Sequence, residues 1–263
     1  MDSDDPSTQE IAGALPAPTL SNASRRAFFS KLAGAAVIPL AAGVTFVNLA
    51  RAGSSGAALT DASRWGLLID TAKCATGCDA CVRGCNDEHG LEGTGRPETD
   101  AQWIRKVVVE DTLTKQVTTL PLMCQHCAEP PCVDVCPTGA SFKRADGIVL
   151  VDKHTCIGCR YCMMACPYKA RSFIHESLEN QKSYSPRGKG TVESCTLCVH
   201  RIDEGGDRQP ACVEACLRDG HGAMTFGDLY EPESDLAIAV AASRTTEIRA
   251  DLKLNTGVRY VGV

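Results

Sequence analysis

Short apolar runs punctuate the chain, each just ahead of a polar loop that carries cysteines. WGLLID at Trp65–Asp70 and GIVLVD at residues 147–152 have the length and the aliphatic content of β-strands. WIRKVVVE (residues 103–110) and KQVTTLPLM (residues 115–123) read as the two arms of a hairpin. Helical periodicity is confined to short turns. After each three-cysteine loop, the closing C-x3-C spacing suits one helical turn, because residues four apart share a face. From Met224, MTFGDLYEPESDLAIAVAAS predicts a strand, a turn and one helix packed on the outside.

One apolar stretch has a different character. SRRAFFSKLAGAAVIPLAAG begins at Ser24, with Arg25 and Arg26 ahead of Phe28 and Phe29, and the Ala/Gly-rich run ends at Ala50-Arg51-Ala52, a small-x-small cleavage signal. The combination is that of a twin-arginine export signal covering residues 1–52, and it predicts a periplasmic protein. The competing reading is a membrane anchor, but Pro39 and the many alanines and glycines leave the run only mildly hydrophobic, so cleavage is expected. No later segment is long and apolar enough to span a bilayer.

Composition changes the picture in one respect. The 263 residues include 16 cysteines but only 5% aromatics, so the core needs help beyond bulky side chains. The net charge of -5 is spread without strong runs, which argues against nucleic acid as a partner. All the cysteines fall into four groups of four: Cys74, Cys78, Cys81 and Cys85; Cys124, Cys127, Cys132 and Cys136; Cys156, Cys159, Cys162 and Cys166; and Cys195, Cys198, Cys212 and Cys216. Disulfides do not suit tight C-x2-C-x2-C runs, and zinc usually takes two C-x2-C pairs from separate knuckles. The run at Cys156 reads C-x2-C-x2-C-x3-C-P, the bacterial ferredoxin pattern for a [4Fe–4S] cluster. The export signal agrees: the twin-arginine route carries folded proteins, as a chain loaded with clusters in the cytoplasm requires.

Pro137 and Pro167 follow Cys136 and Cys166 and turn the chain away just after the last thiolate of each motif. That geometry predicts crossed ligation, in which three cysteines of one motif hold one cluster and the fourth reaches the other. Cys124, Cys127, Cys132 and Cys166 then share a site, and Cys156, Cys159, Cys162 and Cys136 share its partner. The outer motifs pair likewise across the inner ones, as Cys74, Cys78, Cys81 and Cys216, and as Cys195, Cys198, Cys212 and Cys85. The expected fold is α+β: two nested ferredoxin-like units with four [4Fe–4S] clusters, a β-hairpin insertion and a C-terminal helical tail. The outer unit comprises residues 64–117 and 190–222, the inner unit residues 118–175, and the C-terminal extension residues 223–263.

CQHCAEPPCVDVCP, CIGCRYCMMACPY, CTLCVHRID…PACVEAC and FGDLYEPESD resemble the four-cluster ferredoxin subunits of membrane respiratory complexes, such as those of dimethyl-sulfoxide, polysulfide and tetrathionate reductases. The resemblance covers nearly all of the chain after Arg64. It implies a subunit that carries electrons along a row of clusters and breaks no substrate bonds itself. The first motif has C-x3-C where that family usually has C-x2-C, and the chain carries its own export signal. Both features are similar to the periplasmic iron–sulfur subunits of membrane complexes in dissimilatory sulfur metabolism. That narrower resemblance implies as partners a polytopic quinone-interacting membrane subunit, a multihaem cytochrome c subunit, and further membrane and cytoplasmic subunits. Leu217 departs from the pattern, standing where a proline follows the last cysteine elsewhere.

His126 and His200 lie inside or beside cysteine motifs that already have four sulfurs, so structural or surface roles are expected for them. Arg160, Lys169 and Arg171 flank the inner motifs, where cations favour the reduced form of an anionic cluster, although ordinary surface charge is equally compatible with the sequence. Tyr161 and Tyr168 read as packing around a cluster. Two alternatives keep or change the chemistry: the iron–sulfur subunit of a molybdopterin reductase or hydrogenase, and a zinc- or disulfide-stabilised binding module.

Overall fold

The computed structural model describes residues 60–179, 181–205, 209–219 and 221–263, together with two backbone segments, Pro39–Ala41 and Val44–Thr45. Met1–Ser54 and Ser55–Val263 are separate compact units. The twin-arginine pair, Phe28, Phe29 and the cleavage signal lie outside the described residues. Within that first unit, Pro39–Ala41 and Val44–Thr45 pair as a short antiparallel ladder.

The main unit is laid down as strand β1 (Trp65–Asp70), helix α1 (Ala80–His89), β2 (Ile104–Glu110), β3 (Val117–Met123), α2 (Pro131–Asp134), β4 (Ser141–Lys143), β5 (Val149–Val151), α3 (Tyr161–Ala165), β6 (Ser172–Phe173), β7 (Val192–Glu193), α4 (Val199–Glu204), α5 (Ala211–Arg218), β8 (Met224–Asp228), α6 (Asp235–Ala242), β9 (Thr245–Thr246), a 3-10 turn at Ala250–Leu252, and β10 (Val258–Val261). The expected hairpin forms as β2 and β3, paired from Ile104 with Met123 to Glu110 with Val117. Its base is buried through Ile104, Leu120 and Met123, whereas its far end leaves Val108, Val109, Leu113 and Val117 exposed.

The tail is a correction to the sequence reading. Residues 223–263 are not an extension packed outside. They contribute three strands to a four-stranded sheet of order β8–β1–β10–β9. β8 runs antiparallel to β1, pairing Met224 with Ile69 and Asp228 with Trp65; β10 runs parallel to β1 on its other side, pairing Val258 with Leu67 and Val261 with Asp70. With neighbours on both edges and cover on both faces, β1 reads as a continuous apolar run rather than an alternating one. Leu67, Ile69, Val258 and Tyr260 are wholly buried. The strand–turn–helix order from Met224 holds, and Ser234 caps α6 by accepting from the Ala237 N–H.

Arg64, just ahead of β1, is buried and links three parts of the unit. Its Nη2 donates to the carbonyls of His126 (2.7 Å) and Asn255 (3.1 Å), and its backbone N–H to Asp228 (2.7 Å).

Candidate metal centres

The closing C-x3-C of each motif sits on or against a helix, and proline decides how long that helix is. α2 and α3 span 4 and 5 residues, ending just before Cys136-Pro137 and Cys166-Pro167. α1 and α5, with Asn86 and Leu217 in place of proline, continue past Cys85 and Cys216 and reach 10 and 8 residues. The missing proline at Leu217 therefore lengthens a helix. α1 and α5 also pack at close range. A Cβ on Gly84 would stand 2.6 Å from the Ala215 Cβ and 2.9 Å from the Ala211 carbonyl oxygen, so a side chain there would force the two helices apart.

The cysteines regroup between motifs. Cys136, Cys156, Cys159 and Cys162 line one small cavity. Cys124, Cys127, Cys132 and Cys166 line another, and Cys74, Cys78, Cys81 and Cys216 a third. Cys85, Cys195, Cys198 and Cys212 are all buried within one another's electrostatic reach. All sixteen thiols are free of disulfides. Among the described residues, no group of three or more His, Cys, Asp or Glu side chains is drawn together on the scale of a single metal ion.

The loops are built to offer N–H groups to sulfur. Backbone N–H groups point to sulfur from Ser141 to Cys136 and Ala223 to Cys216 (3.3 Å each), and from Val192 to Cys156, Leu197 to Cys195 and Ala211 to Cys198 (3.4 Å each). Wrapping a loop this tightly puts non-glycine residues into left-handed backbone: His126 (φ 43°), Arg160 (φ 64°), Leu197 (φ 56°) and Cys198 (φ 51°). Each such residue costs of order 1–3 kcal/mol and persists only where its surroundings hold it. The extra residue of the first motif is absorbed at Gly77, whose φ of 81° suits glycine.

Side chains add charge. The Lys106 ammonium donates to Cys74 Sγ at 2.9 Å, and Arg171 Nη2 donates to Cys132 Sγ at 3.0 Å. Burial pushes the Cys81 thiol up to about 11 and those of Cys85, Cys124 and Cys212 well above the ordinary range. A lone thiolate in these sites is therefore unfavourable, and binding a metal there must release protons. Cys136 shifts the other way. Its slight burial works against the thiolate, but the Ser141 N–H and the Thr138 hydroxyl outweigh it and lower the thiol below its usual value.

The remaining sequence candidates divide. His126 is buried, accepts from the Val149 N–H at Nδ1 (3.1 Å), and is held neutral by burial, its value pushed down to about 3. His200 contacts Glu88 (2.7 Å) and stacks on Tyr184. Arg160 lies over the Phe173 ring at 3.7 Å, Lys169 is exposed, and Tyr168 lines the Cys124 cavity. Tyr161 is a correction: it is 54% exposed, standing out from its site instead of packing around it. His89, Lys106 and Arg64 escaped the sequence reading. His89 carries a signal that could have found it, since Cys81, Cys85 and His89 are spaced by four on α1. Its Nε2 lies 3.4 Å from Cys198 Sγ and its Nδ1 3.0 Å from the Ser185 hydroxyl.

Residues from neighbouring sites lie within one another's electrostatic reach: Cys81 acts on Cys85 and Cys212, Cys195 on Cys124, and Cys162 on Cys132. The four groups thus run in series. The two at the ends contain the partly or fully exposed Cys74, Cys78, Cys136, Cys156 and Cys159, and every cysteine in the middle two is buried. The donors fit polynuclear iron–sulfur clusters. Around the Cys124 site, the Tyr168 hydroxyl and Arg171 Nη1 are buried without a protein partner, which leaves two donors for an anionic sulfur-rich group.

A small α/β frame with thiols gathered in this way defines an iron–sulfur protein. Residues 115–229 match the model of the 4Fe-4S dicluster domain. The chain is 40% identical over 222 residues to the Hdr-like menaquinol oxidoreductase iron–sulfur subunit 1 of Archaeoglobus fulgidus, covering 75% of this chain and 82% of that protein. It is 38% identical over 224 residues to a subunit of the tetrathionate reductase of Salmonella typhimurium, covering 82% and 78%. Against a subunit of the sulfite dehydrogenase of Allochromatium vinosum, identity is 39% over 191 residues, covering 66% and 72%. The chain belongs to the family of iron–sulfur electron-transfer subunits of oxidoreductase complexes, and it binds [4Fe–4S] clusters.

Proposed function

We propose that this chain is a non-catalytic periplasmic electron conduit with four [4Fe–4S] clusters, equivalent to DsrO in a DsrMKJOP-type membrane complex of sulfur metabolism. The observation that carries the conduit reading is the serial arrangement of the four thiol groups, buried in the middle and exposed at both ends. Bound clusters supply reversible one-electron storage. The protein's own residues hold each site by crossed ligation, shield the middle pair from water, and offer N–H groups that stabilise sulfur charge. The nested two-ferredoxin architecture follows from the same crossed pairs. One end would receive electrons and the other pass them on, between a multihaem cytochrome c and a quinone-interacting membrane subunit. The apolar far end of the β2–β3 hairpin, with Val108, Val109, Leu113 and Val117 exposed, offers such a subunit a surface to cover.

The DsrO reading rests on the C-x3-C at Cys74–Cys78, the chain's own twin-arginine signal, and the likeness to a menaquinol oxidoreductase subunit. A second reading, as the electron-transfer subunit of a terminal reductase, is favoured by the likeness to the tetrathionate reductase subunit. Purifying the intact complex from membranes and identifying its subunits discriminates between them. A multihaem cytochrome c with a polytopic membrane subunit is expected, and a molybdopterin subunit would overturn the assignment.

Export is tested separately. Changing Arg25→Lys and Arg26→Lys together is expected to leave cluster-loaded precursor in the cytoplasm, because the pair is the address. Undiminished protein in the periplasmic fraction of the double variant would refute the signal.

A further inference from the structure

Among the described residues, two cations donate to cysteine sulfur, and they differ in kind. Lys106 serves Cys74 from a strand, in a site whose cysteines are partly open to water. Arg171 is 6% exposed and lies where two sites meet. Its Nη2 donates to Cys132 of one site at 3.0 Å, and Cys162 of the next lies within the electrostatic reach of the same guanidinium. Cys124 feels it as well. Its Nη1 is buried with no protein partner, and the residue lines the Cys124, Cys127, Cys132 and Cys166 cavity. Among the described residues, no carboxylate is hydrogen-bonded to this guanidinium. A buried cation without a carboxylate partner is costly unless other negative charge lies close by. The sulfur groups on either side are the negative charge available here.

We propose that Arg171 is a shared positioning charge for the two clusters of the inner ferredoxin-like unit, at Cys124, Cys127, Cys132 and Cys166 and at the end site of Cys136, Cys156, Cys159 and Cys162, raising the reduction potential of both at once and making that pair the preferred resting place of an electron in transit. The proposal rests on the four-cluster, crossed-ligation reading. An electron added to either inner cluster increases the negative charge beside a fixed, poorly screened cation, so Arg171 favours reduction of both. The planar fork of the guanidinium can reach two sulfurs that a single ammonium cannot reach together. Beside the site of Cys85, Cys195, Cys198 and Cys212, the cation that acts on Cys198 is Arg201, and its charge is paired with Glu88 and Glu214.

The test is equilibrium reduction of the holoprotein at a series of fixed potentials, followed by electron paramagnetic resonance, with iron counted in each sample. Wild type should hold roughly sixteen irons, four per cluster. A wild-type count near eight would sink the four-cluster reading itself, independently of Arg171. In Arg171→Met, two of the four clusters should show their reduced-to-oxidised ratio fall by ~tenfold or more at the wild-type midpoint, while the outer two stay unchanged. Arg171→Lys should retain the effect at one inner cluster and lose it at the other. Lys106→Met should shift one outer cluster, and by less, because water screens it. Arg171→Met with all four clusters titrating within twofold of wild type would overturn the proposal, as would a shift at an outer cluster. If Arg171→Met fails to retain its iron, Arg171→Lys decides: an intact iron count with one inner cluster shifted supports the shared charge. Loss of clusters in both variants would make Arg171 a packing residue and overturn it.

Discussion

Replacing Cys136 with alanine should empty or degrade the site of Cys156, Cys159 and Cys162, and leave that of Cys124, Cys127 and Cys132 intact. Iron should drop from roughly sixteen per chain to about twelve, or to about fifteen if a three-iron centre survives. The expectation follows from place rather than sequence neighbourhood. Cys136 is four residues from Cys132, yet it lines the cavity of Cys156, Cys159 and Cys162. Its sulfur is also prepared for charge by the Ser141 N–H at 3.3 Å. Cys136→Ser is a weaker version of the test, since a serine oxygen can ligate and merely shift the potential. A structure of the loaded protein with Cys136 bonded to the cluster of Cys124 would end the crossed-ligation reading.

The second large effect is expected at a pair of residues outside the cysteine motifs. Arg187 and Glu193 are 4% and 0% exposed at their side chains, and they meet in a fork in which Arg187 Nη2 lies 2.7 Å and Nε 3.0 Å from the carboxylate oxygens. The remaining arm, Nη1, donates to the Gly90 carbonyl at 2.7 Å, the residue that closes α1 in left-handed backbone. The pair therefore ties the end of α1 to β7, the strand whose Val192 N–H serves Cys156. Arg187→Met leaves the buried carboxylate without its hydrogen-bonded partner, and should cost about 3–5 kcal/mol. The check is bleaching of the visible cluster absorbance with denaturant, whose midpoint should fall markedly. Adding Glu193→Leu should restore much of it, because two apolar side chains of similar volume replace the whole pair. A single variant as resistant as wild type would mean that the fork does not hold the fold.

These two cases mark what the sequence makes legible. Metal-ligand spacing is local, and the prolines after Cys136 and Cys166 act on the next peptide bond, so the regrouping of thiols is readable from the chain alone. β1 and the β2–β3 hairpin are readable for the same reason, because their apolar runs have the length and aliphatic content of strands. The Arg187–Glu193 fork is not legible, since neither residue shows its burial until tertiary packing closes over both. Nor does the short VRYV of β10, four residues near the chain end, reveal that it will pair with a strand about 190 positions earlier. Arg171 lies between these cases: its nearness to the inner motifs is plain, but its position between two sites depends on how the two loops close.

The order of strands in the main sheet also constrains timing. β1 is among the first parts of the main unit to leave the ribosome, and β10, which covers its open edge, is among the last. The sheet can be completed only once synthesis has reached residue 261. Until then, β1 presents an unpaired edge, and Arg64 lacks its acceptor at Asn255. Completion of the sheet thus marks that synthesis has passed residue 261, and a product truncated before β10 never acquires it. For a protein proposed to leave the cytoplasm already folded, a fragment lacking β10 retains an open strand edge that the finished sheet does not have.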